Sequence, residues 1–475
     1  MRMAVNDVHS GLNESWPRTM ARPRTIAELI DVVRLAIRRS DAIAIAGGRH
    51  AMGGQQFATN ALLLDTTLLD RVIALDRQRG LVRVEAGIQW PALHAWLARA
   101  QPGDARRWTF RQKQTGADNF SLGGSLSANI HGRGLAMPPF VADIESFTMI
   151  DAHGDLRHCS RTHNRDWFAL AVGGYGLFGV VLTMTLRLSR RQRVERVVRM
   201  CDASSLLSVL RERIAQGCIY GDFQFAIDAD DEGFLDRGIV SCYRPVAADG
   251  PLPRGQRSLS EREWQRLLWL AHRDKRAAFD AFASFYLATT GQHYGSDDHQ
   301  LGYYLDGYHA LLDDRLGHRG SEMIGELYVP RLELGAFLRG AASDLRRHRV
   351  DVVYGTVRLI ERDTETFLPW AREAYACVVL NLHTPHDREG IARTSAAFRR
   401  LIDLAASLRG SYYLTYHRYA SRAQVEACHP KFAEFLAVKQ RLDPRRTFDS
   451  DWHRHYARLF DATRREPSLS AARMS

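Results

Sequence analysis

Three glycine clusters carry the clearest chemistry in this sequence. They are Gly47-Gly48-Arg49-His50-Ala51-Met52-Gly53-Gly54-Gln55, Gly116-Ala117-Asp118-Asn119-Phe120-Ser121-Leu122-Gly123-Gly124 and Gly173-Gly174-Tyr175-Gly176-Leu177-Phe178-Gly179-Val180. Glycines beside a strand let the backbone close on a ligand and turn several N–H groups toward it, which suits a pyrophosphate. The first cluster is not a Walker A loop, because no Gly-Lys-Ser/Thr follows, and it lacks the G-x-G-x-x-G order of a dinucleotide fold. One such cluster is equally well a turn; three predict a long cofactor laid across them. The 19 histidines show no H-E-x-x-H or comparable spacing, so no metal is expected. The cysteines Cys159, Cys201, Cys218, Cys242, Cys377 and Cys428 contain no C-x-x-C pair and read as reduced thiols.

These clusters sit among regular elements. Apolar spacing predicts a helix over Thr25–Arg39, strands at 42–46 and Leu62–Asp65, and a hairpin of Val72–Leu75 with Leu81–Ala86. A helix over Trp90–Ala100 carries Pro91 in its first turn. A second hairpin is expected from Ile144–Asp151 and Leu156–Cys159, then a helix over Asn164–Val172 and a strand at Val180–Leu188. Beyond Glu195 we expect helices at Ser204–Ala215, Glu261–Leu287, Leu332–His348 and Gly390–Leu408. Strands are expected there at Asp222–Asp228, Ser321–Val329, Val352–Ile360, Cys377–His383 and Tyr412–Tyr416. Val246–Gly255 reads as a loop, Gly291–His309 as a polar, tyrosine-rich stretch, and Phe432–Leu442 as the last helix.

The chain has 475 residues and a formal net charge of +11, with 45% apolar and 25% charged residues, an ordinary globular mixture of two or three domains. Lysine occurs only at Lys113, Lys275, Lys431 and Lys439; the positive charge is arginine scattered along the chain, without a basic stripe. It reads as solvated surface and not as a nucleic-acid face. Trp167–Leu186 lacks charge and is long enough to imitate a membrane span, but its four glycines favour a helix, a turn and a buried strand. The first twenty residues lack an apolar core of the secretory type, so a cytoplasmic location is expected.

Residues 20–190 resemble the FAD-binding domain of the vanillyl-alcohol-oxidase-type flavoproteins, the group with a PCMH-type fold. The first loop is similar to the pyrophosphate loop of cytokinin dehydrogenases and alditol oxidases. Ser121-Leu122-Gly123-Gly124-Ser125-Leu126-Ser127-Ala128-Asn129-Ile130-His131-Gly132 resembles the second flavin loop of decaprenylphosphoryl-ribose and aldonolactone oxidases. The third cluster resembles the glycine turn beside the adenosine half. Asp443-Pro444 with Phe448-Asp449-Ser450-Asp451 resembles the end of these enzymes.

The resemblance implies FAD as cofactor. It implies contacts from Gly47, Gly48, Arg49, His50, Ala51, Met52, Gly53 and Gln55, and from Gly116, Asp118, Asn119, Ser121, Leu122, Gly123, Gly124, Ser127, Asn129, His131 and Gly132. Gly176, Gly179 and Val180 complete the set. His50 falls where covalent members attach the flavin 8α carbon; the alternative is a loop histidine that only hydrogen-bonds the cofactor. A second, cysteinyl bond needs a Cys near Ala117, and none precedes Cys159. Asp118 lies closer to the glycine pair than the catalytic Asp of cytokinin dehydrogenases, which argues for a structural or cofactor-facing role and against cytokinin as substrate.

The resemblance to alditol oxidases also implies an Arg, a polar residue and a base on successive cap strands. Arg358, Asn381 or His383, and His417 beside Tyr416 are the counterparts by order. Each has a plain alternative: Arg358 paired with Glu361 or Asp363, His383 in a loop before Pro385, His417 in an aromatic edge with Tyr412, Tyr413, Tyr416 and Tyr419. His131 is expected to pack by the flavin.

The expected fold is α+β, a PCMH-type two-subdomain FAD-binding domain plus an α/β substrate (cap) domain with an antiparallel sheet. The expected boundaries are a flexible N-terminus 1–15, the FAD domain 16–192, the cap 193–430, a returning segment 431–460 and a flexible tail 461–475. The expected activity is oxidation of a CH–OH group on a small sugar-like or lactol substrate by hydride transfer to flavin N5, with O2 or another acceptor. A flavin-dependent reductase of a carbon–carbon double bond and a non-catalytic basic nucleic-acid-associated protein are the alternatives.

Overall fold

Thr25 starts the first helix as its spacing predicts: its hydroxyl accepts from the Glu28 N–H at 3.1 Å, and Leu29, Val33 and Ala36 bury one stripe of Ile26–Arg38. That is the opening of a computed structural model describing residues 4–104, 106–247, 251–302 and 307–461. The tail expected at 461–475 lies outside the described residues beyond Asp461, as do parts of the stretches at 246–255 and 291–309.

Three sheets organise the chain. Leu62–Asp65 lies between Thr19–Ala21 and Ile43–Ala46, all parallel. An antiparallel sheet follows, ordered Val72–Asp76, Leu81–Glu85, Val180–Arg190, Ile144–Ile150, Leu156–Ser160, with Trp108–Phe110 on the outer end of Val180–Arg190. Leu29, Val33, Ile43 and Leu64 pack with Ile150, Val180 and Leu182, so the first two sheets share a core.

The third sheet starts at Arg193 and has eight antiparallel strands. Their order is His293–Gly295, Arg193–Asp202, Arg237–Pro245, Tyr220–Phe225, Val352–Ile360, Tyr375–Pro385, Gly320–Pro330, Ser411–Tyr412. The helices Leu334–Arg347 and Arg388–Ser407 cover one face with Phe337, Ala341, Phe398 and Ile402. Gly325 permits that packing, since a Cβ there would lie 2.2 Å from Phe398. The alternate residues Glu322, Ile324 and Glu326 turn to the other face, toward the cavity described below.

The chain's end returns to the first two sheets. Ile43 N–H donates to the Thr447 carbonyl at 2.6 Å, and Phe448, fully buried, completes their core. Burial of such a side chain contributes about 1.5–3 kcal/mol. The Lys439 ammonium, buried in Phe432–Leu442, donates to the Leu177 carbonyl at 2.6 Å and fixes the third glycine turn.

Several expectations need correction. Residues 4–16 are not frayed: Val5 pairs with Ser15, the Asp7 carboxylate accepts from Ser10 and Asn13, and Asn13 donates to the Met52 carbonyl at 2.6 Å. These short polar side chains satisfy one another, a device without periodicity. The helical stretch 261–287 is two helices broken at Asp274, whose carboxylate caps the second by accepting from Ala277 at 3.0 Å. The strand expected at Tyr412–Tyr416 ends at Tyr412 and becomes a turn. Asp451–Asp461 adds a helix after Phe432–Leu442, and Arg193–Asp202 and Arg237–Pro245 are strands that the alternation did not mark. Among the described residues no helix is long and apolar enough to cross a membrane; Trp167–Leu186 spans a helix end, the glycine turn and a strand.

Candidate active site

The glycine loops meet at the mouth of strand Ile43–Ala46. A Cβ on Gly47 would lie 2.0 Å from the Ser121 hydroxyl, and one on Gly48 would lie 2.1 Å from the Asn119 carbonyl. The first two loops therefore touch only because both positions lack a side chain. Ser121 caps the short helix Leu122–Ala128, accepting from Gly124 N–H at 3.2 Å, and leaves Gly123 and Gly124 on the cavity wall. Gly179 closes the third side at φ +148°, with Ile150 carbonyl 2.4 Å from where its Cβ would be.

These loops form one wall of a cavity of about 790 Å³, within the usual range for a small-molecule site. Three buried polar atoms lining the cavity, Gln55 Oε1, Gln56 Oε1 and Thr115 Oγ1, have no partner within the protein. Buried polar groups are normally paired, so these are groups set for a ligand. A glycine cradle with orphaned polar groups fits the extended, polar FAD molecule.

The structure sorts the expected cofactor residues. Gly47, Gly48, Arg49, His50, Ala51, Gln55, Gly116, Ser121, Gly123, Gly124, Ser127, Gly176, Gly179 and Val180 line the cavity. Met52 and Leu122 instead pack in the core, and Gly53 sits behind Gln55. Asp118 is turned to the buried Lys113 ammonium at 2.6 Å, Asn119 contributes its carbonyl against Gly48, and Gly132 packs on the Lys113 backbone. Asn129 bridges Asp363 and the Val141 N–H, holding the chain after the helix. His50 lies against Phe120, with ring centroids 4.4 Å apart, and its Nδ1 is 2.9 Å from His9 Nε2. Burial and the nearby His309 lower the His9 pKa to about 4, so that ring is neutral.

Opposite the cradle stands Glu326, absent from the sequence expectations. Its carboxylate accepts from Tyr416 at 2.9 Å, His131 Nε2 at 2.8 Å and Tyr328 at 2.7 Å, and Gln114 Nε2 donates to the Tyr416 oxygen at 2.8 Å. Burial would raise the Glu326 carboxyl, but His131, Arg358 and Tyr328 outweigh it and hold the pKa at about 2. Burial and the Glu326 charge push the Tyr416 phenol far above its usual range, so it keeps its proton. Arg358 and Asn381 also line the cavity, on strands Val352–Ile360 and Tyr375–Pro385, and the buried Arg358 Nε has no partner. Arg358 therefore faces the cavity, while it is Arg331 that pairs with Glu361, at 2.7 Å. A charged residue amid the apolar strand Gly320–Pro330 was the available signal for Glu326.

His417 does not reach the cavity. Because the chain turns after Tyr412, Tyr416 points inward and His417 packs between Phe398 and Tyr419, with centroids at 4.5 and 5.0 Å. Burial lowers its pKa to about 3. His383 is in the strand Tyr375–Pro385 and not in a loop. The scattered arginines are not all surface: Arg133, Arg196 and Arg358 line the cavity, with Tyr243 accepting from Arg196 at 2.8 Å. The helices Glu261–Arg273 and Lys275–Leu287 add an apolar side that includes Trp264, Leu267, Phe279 and Phe282.

Residues 17–160 match the family described as FAD binding domain. The chain is 24% identical over 449 residues to the L-gulono-1,4-lactone dehydrogenase of Mycobacterium tuberculosis, covering 92% of this chain and 95% of that protein. It is 26% identical over 172 residues to the L-gulonolactone oxidase of Mus musculus, covering 36% of this chain and 37% of that protein. It is 25% identical over 185 residues to the mitochondrial L-galactono-1,4-lactone dehydrogenase of Brassica oleracea, covering 39% of this chain and 30% of that protein.

Proposed function

We propose that this chain, an FAD-linked oxidoreductase with its FAD-binding domain over residues 17–160, oxidises a CH–OH group of a sugar-like lactone or lactol. The observation that carries the reading is the buried Glu326–Tyr416–His131 cluster across one cavity from the glycine cradle. FAD, when bound, supplies the hydride acceptor. The chain's own residues would do the rest. Arg358 and Asn381 would orient the substrate oxygens from adjacent strands, Arg358 through its unpartnered Nε. Glu326, ionised at neutral pH, would receive the hydroxyl proton, through Tyr416 when that phenol hands on its own proton to Oε1. The apolar helices would keep bulk water from this wall.

Covalent attachment at His50 belongs to the same reading. It is supported by the place of His50 on the cavity wall and by the neutral His9 ring, which can accept a hydrogen bond from its Nδ1. Acid-precipitated protein should then stay yellow, and His50→Ala should release its flavin on precipitation; free flavin from the wild type would defeat the covalent claim. The activity itself is tested by an anaerobic screen of aldonolactones, aldoses and alditols, following loss of the flavin absorbance. Bleaching by a sugar-type CH–OH donor is expected. Bleaching by NADPH alone, with none by these donors, would reject the reading in favour of a reductase.

A further inference from the structure

Three clusters of metal-ligating side chains occur among the described residues. In two of them the carboxylates are already engaged by protein groups. In the first, His131, Glu326 and Cys377, the carboxylate is taken by two tyrosine hydroxyls and an imidazole. In the second, His94, Asp297 and Asp298, the carboxylates are held by Arg107 and Arg191, whose guanidinium groups repel a cation. In the third, Glu322 accepts from Tyr308 through Oε2 alone, and among the described residues no arginine or lysine pairs with it. Glu322 and His383 are directly paired across strands Gly320–Pro330 and Tyr375–Pro385. His272, at the end of Glu261–Arg273, and His309, in the first turn of Tyr308–Leu316, close on the same carboxylate.

From these residues we propose a binding site for one divalent transition cation of the Zn2+ type, on the cap side of the cavity, held by His272, Glu322 and His383, with His309 at the carboxylate's other oxygen. The distances fit such an ion. A tetrahedral site with ligands about 2.0–2.1 Å from zinc separates neighbouring ligand atoms by about 3.3 Å. Here His272 Nε2 is 3.2 Å and His383 Nδ1 3.5 Å from Glu322 Oε1, and His309 Nδ1 is 3.2 Å from Oε2. The ligand atoms of His272, Glu322 and His383 all lie within 4.8 Å of one another.

The orientation of the groups is the second, independent observation. Glu322 Oε1 and His383 Nδ1 are fully enclosed, and at 3.5 Å apart they make no close, well-aligned hydrogen bond. That separation is too long for a good hydrogen bond and matches two ligands that share one cation. An outer layer is present too. His383 turns its Nε2 to His318 Nε2 at 2.9 Å, which fixes the ring, and Tyr308 donates to Glu322 Oε2. Two imidazoles and one carboxylate suit zinc and its neighbours and not calcium or magnesium, which take oxygen ligands. His272, His309 and Glu322 all line the cavity, so the cation would have an open side there for an oxygen of a carboxylate, phosphate or lactone carbonyl. Glu322 lies four residues along the strand from Glu326, about 13 Å at roughly 3.3 Å per residue.

The test uses the flavin-loaded full chain, stripped with a chelator and titrated with Co2+ in equilibrium dialysis and visible spectroscopy. One Co2+ per chain is expected, with d–d bands to the red of the flavin absorbance, displaced by Zn2+. Glu322→Gln and His272→Asn should each weaken binding ~100-fold or more, the upper end of what losing even an outer-layer group costs. His94→Asn, in the arginine-held cluster, should leave binding unchanged. Flavin content and thermal midpoint show whether each variant is folded, and the rise of the wild-type midpoint with Zn2+ should vanish in Glu322→Gln. No bound Co2+ in the wild type, or binding unaltered by both Glu322→Gln and His272→Asn, overturns the site. Neither outcome depends on which alcohol the flavin accepts hydride from.

Discussion

Replacing Glu326 by Gln keeps the side chain's size and removes its charge, which makes it the sharpest test of the cavity's chemistry. The carboxylate is 3% exposed and accepts from Tyr416, His131 and Tyr328 at 2.9, 2.8 and 2.7 Å. Hydrogen bonds to a charged group contribute about 1.5–3 kcal/mol each. An amide offers one acceptor oxygen and turns its NH2 toward a donor, so at least one of the three is lost. The variant should therefore lose about 1.5–3 kcal/mol of stability. If Glu326 also receives the substrate proton, flavin reduction should slow by about 10²–10⁴-fold, which is about 3–5 kcal/mol in the barrier. The assay is anaerobic stopped-flow bleaching at saturating substrate, scaled to flavin content so that unfolded protein is not counted. Tyr416→Phe, which spares the carboxylate, should slow reduction by about tenfold, the loss of one hydrogen bond. Because the Glu326 pKa is depressed to about 2, its ionised form persists as pH falls through the ordinary carboxylate range, and the reductive rate should show no acid limb near 6. Glu326→Gln reducing flavin at the wild-type rate, or an acid limb near 6.5 lost with a histidine, would refute the assignment.

Other outcomes follow from the same structure. His417→Phe should leave flavin reduction unchanged, since the ring packs between Phe398 and Tyr419 away from the cavity. It should also flatten the pH dependence of stability. The native His417 pKa of about 3 lies below the unfolded 6.5, so the unfolded chain binds the extra proton and stability is full above 6.5 and falls as pH drops. The loss is about 1.4 kcal/mol per pH unit, about 2 kcal/mol by pH 5, read from urea denaturation at two pH values. Gly48→Ala puts a Cβ 2.1 Å from the Asn119 carbonyl, so the first two loops must part and the purified protein should carry little flavin by absorbance. Asp297→Asn uncouples a fully buried carboxylate from Arg107, Arg191 and His94 and should cost about 3–5 kcal/mol, seen as a lower thermal midpoint.

The glycine cradle was legible in the order of residues alone. Gly47, Gly48 and Gly179 are where neighbouring atoms approach too closely for a side chain, and that constraint is local, so it is written in glycine-rich runs. Helix Ile26–Arg38 and the two hairpins were legible for the same reason: caps and periodicity act over a few residues. Only the tertiary structure decided what faces the cradle. Glu326 is joined to His131, 195 positions away, and to Tyr416, 90 positions away, and no spacing rule reports such a pairing. A turn after Tyr412 exchanged His417 for Tyr416, because in an extended chain neighbouring side chains point to opposite faces and one altered residue reverses the choice. His272, His309, Glu322 and His383 lie on four separate elements, so the sequence showed no ligand spacing where the fold makes one carboxylate the meeting point of three imidazoles. Even the N-terminal residues, polar and aperiodic, were placed by partners they meet only after folding, Asn13 on Met52 and Ser15 on Asp451.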